Sequence, residues 1–77
     1  MVRVGDKFNE KLPSFVKSKT GLFPWVIEVV GFHHESYGVF ADCIRRENGY
    51  KDDKLAISIG LLDDRKETFY KKIATNN

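Results

Sequence analysis

The chain has one cysteine, Cys43, and two prolines, Pro13 and Pro24. A lone cysteine closes no internal disulfide, and it fits a reducing compartment. No apolar run approaches the roughly 18 residues that a membrane-spanning helix needs. The opening segment, residues 1–13, lacks the apolar stretch of a secretory signal. A cytoplasmic location is therefore expected. Charge of one sign is also scarce: 13 Lys+Arg stand against 11 Asp+Glu, a net +2. That balance excludes an acidic nucleic-acid mimic and a histone-like basic chain. There is no glycine-rich phosphate loop, no Gly-x-Ser-x-Gly elbow and no calcium-loop spacing. What is present argues for a folded domain. Hydrophobic residues make up 42% and aromatics 13%, too apolar for disorder. With 77 residues the chain allows one small domain, spanning 1–77, with a thin core.

No repeat, low-complexity tract or linker interrupts the chain. Short apolar stretches alternate with turn signals, which predicts strands. Val2 and Val4 flank Arg3, and Lys7-Phe8 extends this first strand past Gly5-Asp6. Residues 9–24 read as a long loop broken by Pro13, Gly21 and Pro24. Residues 25–30 form the strongest strand, dominated by aromatic and β-branched side chains. Alternation puts Trp25, Ile27 and Val29 on the core face and Val26, Glu28 and Val30 on the other. Residues 31–36 read as a short connection. Residues 37–45 form a third strand, with Tyr37, Val39, Ala41 and Cys43 inward and Phe40, Asp42 and Ile44 outward. Asn48-Gly49 signals a hairpin, because both residues tolerate positive φ. Residues 54–60 alternate cleanly, with Leu55, Ile57 and Ile59 inward. Residues 61–64 predict a tight helical turn, with Asp63 or Asp64 accepting bonds from free N–H groups. Phe69 and Ile73 are spaced for a short helix, though Phe69-Tyr70 could equally open a last strand. This order predicts an all-β fold: a five-stranded antiparallel barrel with a short helical turn near the C-terminus, closed because open short strands expose edges.

The layout resembles a Src-homology-3-like small barrel over residues 2–73. The long loop after the first strand stands where that fold has its longest loop, and residues 61–64 stand at its single 3₁₀ turn. The opening Val4-Gly5-Asp6-Lys7-Phe8 resembles the Gly-Asp-x-aromatic start of many small barrels, including short proteins of phages and other mobile elements. The resemblance implies a binding module. The Ala-Leu-Tyr-Asp-Tyr-like run and paired tryptophans that grip proline-rich peptides are missing; Trp25 opens the second strand instead.

Candidate chemistry is sparse. His33-His34-Glu35 invites a metal reading, but adjacent histidines in extended chain diverge, so no metal or cofactor is expected. Cys43 with His33 or His34 could form a nucleophile–base pair, yet a mid-strand cysteine on the core face packs rather than reacts. Asp52-Asp53 and Asp63-Asp64 fall in a charged loop and a turn, not a cleft. The chain is not expected to be an enzyme.

Basic residues are more suggestive. Between Met1 and Thr20 stand five cations and two anions. Binders of single strands pair basic grooves with exposed aromatics. The predicted nucleic-acid surface is therefore Lys7, Lys11, Phe15, Lys17, Lys19, Phe23, Arg45 and Arg46, with Lys71-Lys72 a further basic cluster. The expected partner is nucleic acid or a nucleic-acid-processing protein. An alternative uses the outer face of the second and third strands: Val26, Val30, Phe32, Phe40 and Ile44. That face is either covered by the long loop through Leu12, Phe15, Val16, Leu22 and Phe23, or docks a second subunit or a host protein. In the latter case the chain is a protein–protein adaptor or inhibitor and a homodimer is the natural form.

Overall fold

The computed structural model describes residues 1–47 and 51–74. The expected Asn48-Gly49 turn and Tyr50 lie outside the described residues. Five strands and one helical turn follow in the order β1 (Lys7–Lys11), β2 (Leu22–Glu35), β3 (Gly38–Arg46), β4 (Asp53–Ser58), α1 (Ile59–Leu62) and β5 (Tyr70–Ala74). The strands form one antiparallel sheet in the order β4-β3-β2-β1-β5. The fold is all-β, as the alternation predicts. The outer strands β4 and β5 each pair with one neighbour among the described residues, so the pairing does not show the expected closure into a barrel. No helix among the described residues is long and apolar enough to cross a membrane.

One sheet face carries the core. Phe8, Ile27, Val29, Ala41, Cys43 and Ile57 are buried on it, with Val2 and Leu62 added from outside the strands. Trp25, Leu55, Ile59 and Tyr70 pack around them. The inward positions read from alternation at 27, 29, 41, 43 and 57 agree with this. α1 packs against β3, β4 and β5.

Several boundaries differ from the sequence reading, each for a physical reason. The first strand begins at Lys7, not Val2. Residues 1–6 instead turn alongside β2: Gly5 N–H donates to the Val29 carbonyl at 2.8 Å and Val29 N–H to the Asp6 carbonyl at 3.0 Å. Gly5 has φ 94°, a left-handed geometry that glycine permits. The loop is shorter than residues 9–24, running from 12 to 21. Its base is closed by Leu12 N–H donating to Gly21 O at 2.8 Å. Pro24 lies inside β2. It is tolerated because pairing with β1 is irregular there and pairing with β3 begins only at Val26.

The largest correction concerns residues 31–36. They are not a connection, because β2 runs on to Glu35 and only Ser36-Tyr37 make the turn. A bulge allows this. Val29 faces Cys43 while Gly31 faces Asp42, so Val30 is an extra residue. An inserted residue reverses which face the following side chains take. Phe32 therefore sits opposite Ala41 on the core-side face, and His33 sits opposite Phe40 on the outer face. The expected patch of Val26, Val30, Phe32, Phe40 and Ile44 loses Phe32 for this reason. At the other end of the sheet, β4 stops at Ser58, and Ile59 enters α1 two residues before the helical turn was expected. Of the two readings of the last element the strand holds: β5 opens at Tyr70, with Phe69 directly before it.

Candidate functional site

Alternation and strand order together build a cationic face. On β1, Phe8 is buried, so Lys7, Asn9 and Lys11 take the opposite face. On β5, Lys72 points to the core side, where its Nζ lies 3.1 Å from the buried Asp6 carboxylate. Lys71 and Ile73 therefore face outward, and both are exposed. Because β5 is hydrogen-bonded to β1, Lys71 comes opposite Asn9, between Lys7 and Lys11 along the sheet. The rows continue outward as Lys71–Asn9–Val26–Arg46 and Lys7–Glu28–Ile44–Lys54.

The electrostatics of this face are uneven. Glu28 lies opposite Lys7 but is held by Arg46 Nη1. Arg46 Nε also reaches Asp52 at 3.2 Å, so this predicted site residue is neutralised by two carboxylates. Lys11 Nζ donates to the Glu67 carbonyl at 2.8 Å, which fixes the side chain without cancelling its charge. Lys7, Lys17, Lys19 and Lys71 make no ion pair among the described residues.

Directly after Lys11 the chain enters the 12–21 loop. Phe15 is 84% exposed, and Lys17 and Lys19 are exposed beside it. A turn closed by Val16 N–H on Pro13 O at 3.0 Å presents Phe15. Ser18 Oγ accepts bonds from Thr20 and Gly21 N–H, both at 3.3 Å, and shapes the return. The loop therefore does not lay Phe15 over the outer sheet face as a cover.

Two other predicted residues have structural work. Phe23 stacks on Trp25 with centroids 4.4 Å apart and planes 12° from parallel. Arg45 places its guanidinium carbon 4.7 Å from the indole centroid and donates to Asp53 Oδ2 at 2.8 Å. Trp25 Nε1 donates to Glu10 Oε1 at 3.1 Å. Phe23 and Arg45 thus rim the core around Trp25, apart from Lys7 and Lys11. So the structure brings Lys7 and Lys11 onto one face, leads from it into Phe15, Lys17 and Lys19, sets Phe23 and Arg45 elsewhere, and leaves Arg46 at the far end of the same face with its charge engaged by Glu28 and Asp52. Sequence reasoning left Lys71 outside the predicted site and gave Phe69 no role. Lys71-Lys72 was visible as a basic pair, but only the β5–β1 pairing makes Lys71 a neighbour of Asn9. Phe69 is 53% exposed; its carbonyl accepts the Lys11 N–H at 2.8 Å.

On the outer face of β2 to β4, Val30, Asp42, Ile44, Lys54 and Ala56 line a shallow groove of about 450 Å³. Beyond it, His33 Nδ1 meets Asp42 Oδ1 at 2.7 Å, and its Nε2 lies 3.6 Å from Glu35 Oε1. The ring stacks on Phe40, which also makes a T-shaped contact with Tyr37. The two carboxylates face opposite ring nitrogens, so they do not converge on a shared metal position. Cys43 is 2% exposed; burial first, and then nearby Asp42, push its thiol up to about 11. A thiol held neutral in this way is a poor nucleophile.

Neither the protein-family models, nor the curated proteins, nor the solved structures contain a match to this chain.

Proposed function

We propose that the chain is a non-catalytic binding module, built like a Src-homology-3-like barrel, that contacts nucleic acid with the outer face of β1 and β5 and with the 12–21 loop. The observation that carries this reading is the placing of Lys71 between Lys7 and Lys11, on a face where the carboxylate opposite Lys7, Glu28, is engaged by Arg46. Unpaired cations that neutralise phosphates release condensed counterions, and this drives association. Exposed Phe15 adds a ring on which a base can stack. Strand order β4-β3-β2-β1-β5, with a helical turn between β4 and β5, supports the Src-homology-3-like layout. A phage or mobile-element origin rests on the Gly5-Asp6-Lys7-Phe8 opening, and a cytoplasmic setting on the unpaired thiol.

The test is binding of a fluorescently labelled oligonucleotide followed by anisotropy from low to moderate salt. Affinity should fall steeply with salt, and Lys71→Glu should weaken binding and flatten the slope. No binding at low salt would refute the reading.

A second reading is favoured by one observation. Val30, put on the surface by the bulge, is 43% exposed at the groove of the β2–β4 outer face. An apolar groove with Asp42 and Lys54 in its lining suits a protein partner or a second copy. Light scattering would then show a dimer that Val30→Asp dissociates.

A further inference from the structure

Phe69, Tyr70 and Leu61 line a cavity of about 190 Å³ together with Glu10 and Lys11. Phe69 is 53% and Leu61 40% exposed, so an aromatic and an aliphatic side chain stand open at its mouth. Tyr70 is half-buried and packs on the core, which gives the cavity a fixed floor. Lys11 is held beside it by two bonds, its N–H on Phe69 O and its Nζ on Glu67 O, both 2.8 Å. The cavity therefore combines an exposed aromatic side chain, an apolar wall, a positioned cation and Glu10, whose carboxylate is taken by Trp25 Nε1, at the end of the row formed by Lys7 and Lys71.

We infer that this cavity seats one unpaired nucleobase, stacked on Phe69, with Lys11 at its phosphate; the ligand is then a single strand. This rests on the nucleic-acid reading above and narrows it. Three features favour a single strand over a duplex. Side chains that read a duplex reach its grooves from a helix or a protruding ribbon, and the described helix has four residues. Stacking on a side chain needs a base free of its own stack. Lys7 and Lys11 also follow one strand, with Lys71 beside the gap between them, so the cations run along a line rather than across two backbones.

The experiment compares three labelled ligands of equal length at low salt: a single strand, its duplex, and a single strand of abasic sites. The first should bind at least about tenfold tighter than the other two, the scale of one base–aromatic stack. Phe69→Ala should lower that preference by about tenfold, one stack, while leaving the salt slope, and Phe69→Tyr, which keeps the ring, should retain it. Circular dichroism of both variants checks the sheet. Equal binding of the single strand and either other ligand overturns the base site but leaves the nucleic-acid reading standing. So does a preference unchanged in Phe69→Ala. No binding of any of the three overturns both.

Discussion

The Asp6 carboxylate is wholly buried, and the ammonium of Lys72 lies 3.1 Å from it. One Oδ2 atom accepts both this contact and the Arg3 N–H, at 2.9 Å. The first turn of the chain and its last strand are thereby joined. A buried charge left without its partner is costly, whereas the intact pair adds little net stability. Lys72→Met is therefore expected to destabilise by about 2 kcal/mol, and Asp6→Ala by a similar amount through loss of the turn. The double variant should lose less than the sum of the two. Urea unfolding followed by Trp25 fluorescence measures all three. Additive losses would show that the ion pair is not the connection.

Trp25 is fixed by three neighbours of different chemistry: the Phe23 ring, the Arg45 guanidinium and the Glu10 carboxylate. Stacked aromatic pairs contribute about 1 kcal/mol beyond their buried area. Phe23→Ala should cost at least about 1 kcal/mol for this reason and shift Trp25 emission to longer wavelength as water reaches the indole. Arg45→Gln should shift emission less, because the guanidinium is tied to Asp53 and the exposed pair contributes little. If Arg45→Gln instead abolished oligonucleotide binding and left emission unchanged, Arg45 would belong to the binding face rather than to the Trp25 cluster.

Asp64 forms the turn that leads from α1 to β5. Its Oδ1 and Oδ2 accept the Lys66 and Thr68 N–H groups at 3.0 and 3.3 Å. The Thr68 hydroxyl and these two N–H groups hold its carboxyl below the ordinary 3.8. A depressed carboxylate contributes stability above its unfolded pKa and loses it as pH falls through the folded one. The Asp64 contribution should therefore be intact at neutral pH and disappear in the acid range below 3.8. Asp64→Asn should be less stable than the parent at pH 7 and converge with it at low pH. Parallel pH profiles for the two proteins would contradict the assignment.

How much of this was legible beforehand depended on how local the signal was. Ile27, Val29, Ala41, Cys43 and Ile57 declare their inward face by simple alternation within one strand. Capping by Asp63 or Asp64 follows from carboxylates at the end of a short turn, and the hydrogen bonds to Lys66 and Thr68 N–H select Asp64. The bulge at Val30 has one local signal, Gly31, but a glycine after an apolar run marks a turn as readily as a bulge, and only the pairing with β3 decides it and moves Phe32 to the core-side face. Lys71 was visible as part of a basic pair, but its meaning depends on β5 pairing with β1, more than 60 positions away in sequence. Arg45 and Arg46 looked free in the sequence because their carboxylates, Asp53, Asp52 and Glu28, arrive from the other side of a hairpin or a neighbouring strand.

Cys43 gives a direct reading of how tightly the sheet is closed over its core. Its thiol is 2% exposed and donates to the Ala41 carbonyl at 3.5 Å. Burial, reinforced by Asp42, raises it from 9.0 to about 11. A group whose folded pKa is raised contributes stability below its unfolded value and loses it as pH climbs through the folded one. Stability should hold up to pH 9.0 and decline toward 11 on this account. The Tyr70 hydroxyl is also raised, mainly by burial, so the Cys43 share is isolated by comparison with Cys43→Ala, which keeps Tyr70. That variant should be destabilised at neutral pH by about 1 kcal/mol for the volume lost. Its alkaline decline should be shallower. Iodoacetamide supplies the kinetic counterpart. Below pH 9 the folded protein should react far more slowly than the protein in urea, with a rate that rises as urea approaches the unfolding midpoint. Rapid alkylation without denaturant would mean that β3 opens locally, and that the core face around Cys43 is open to ligands.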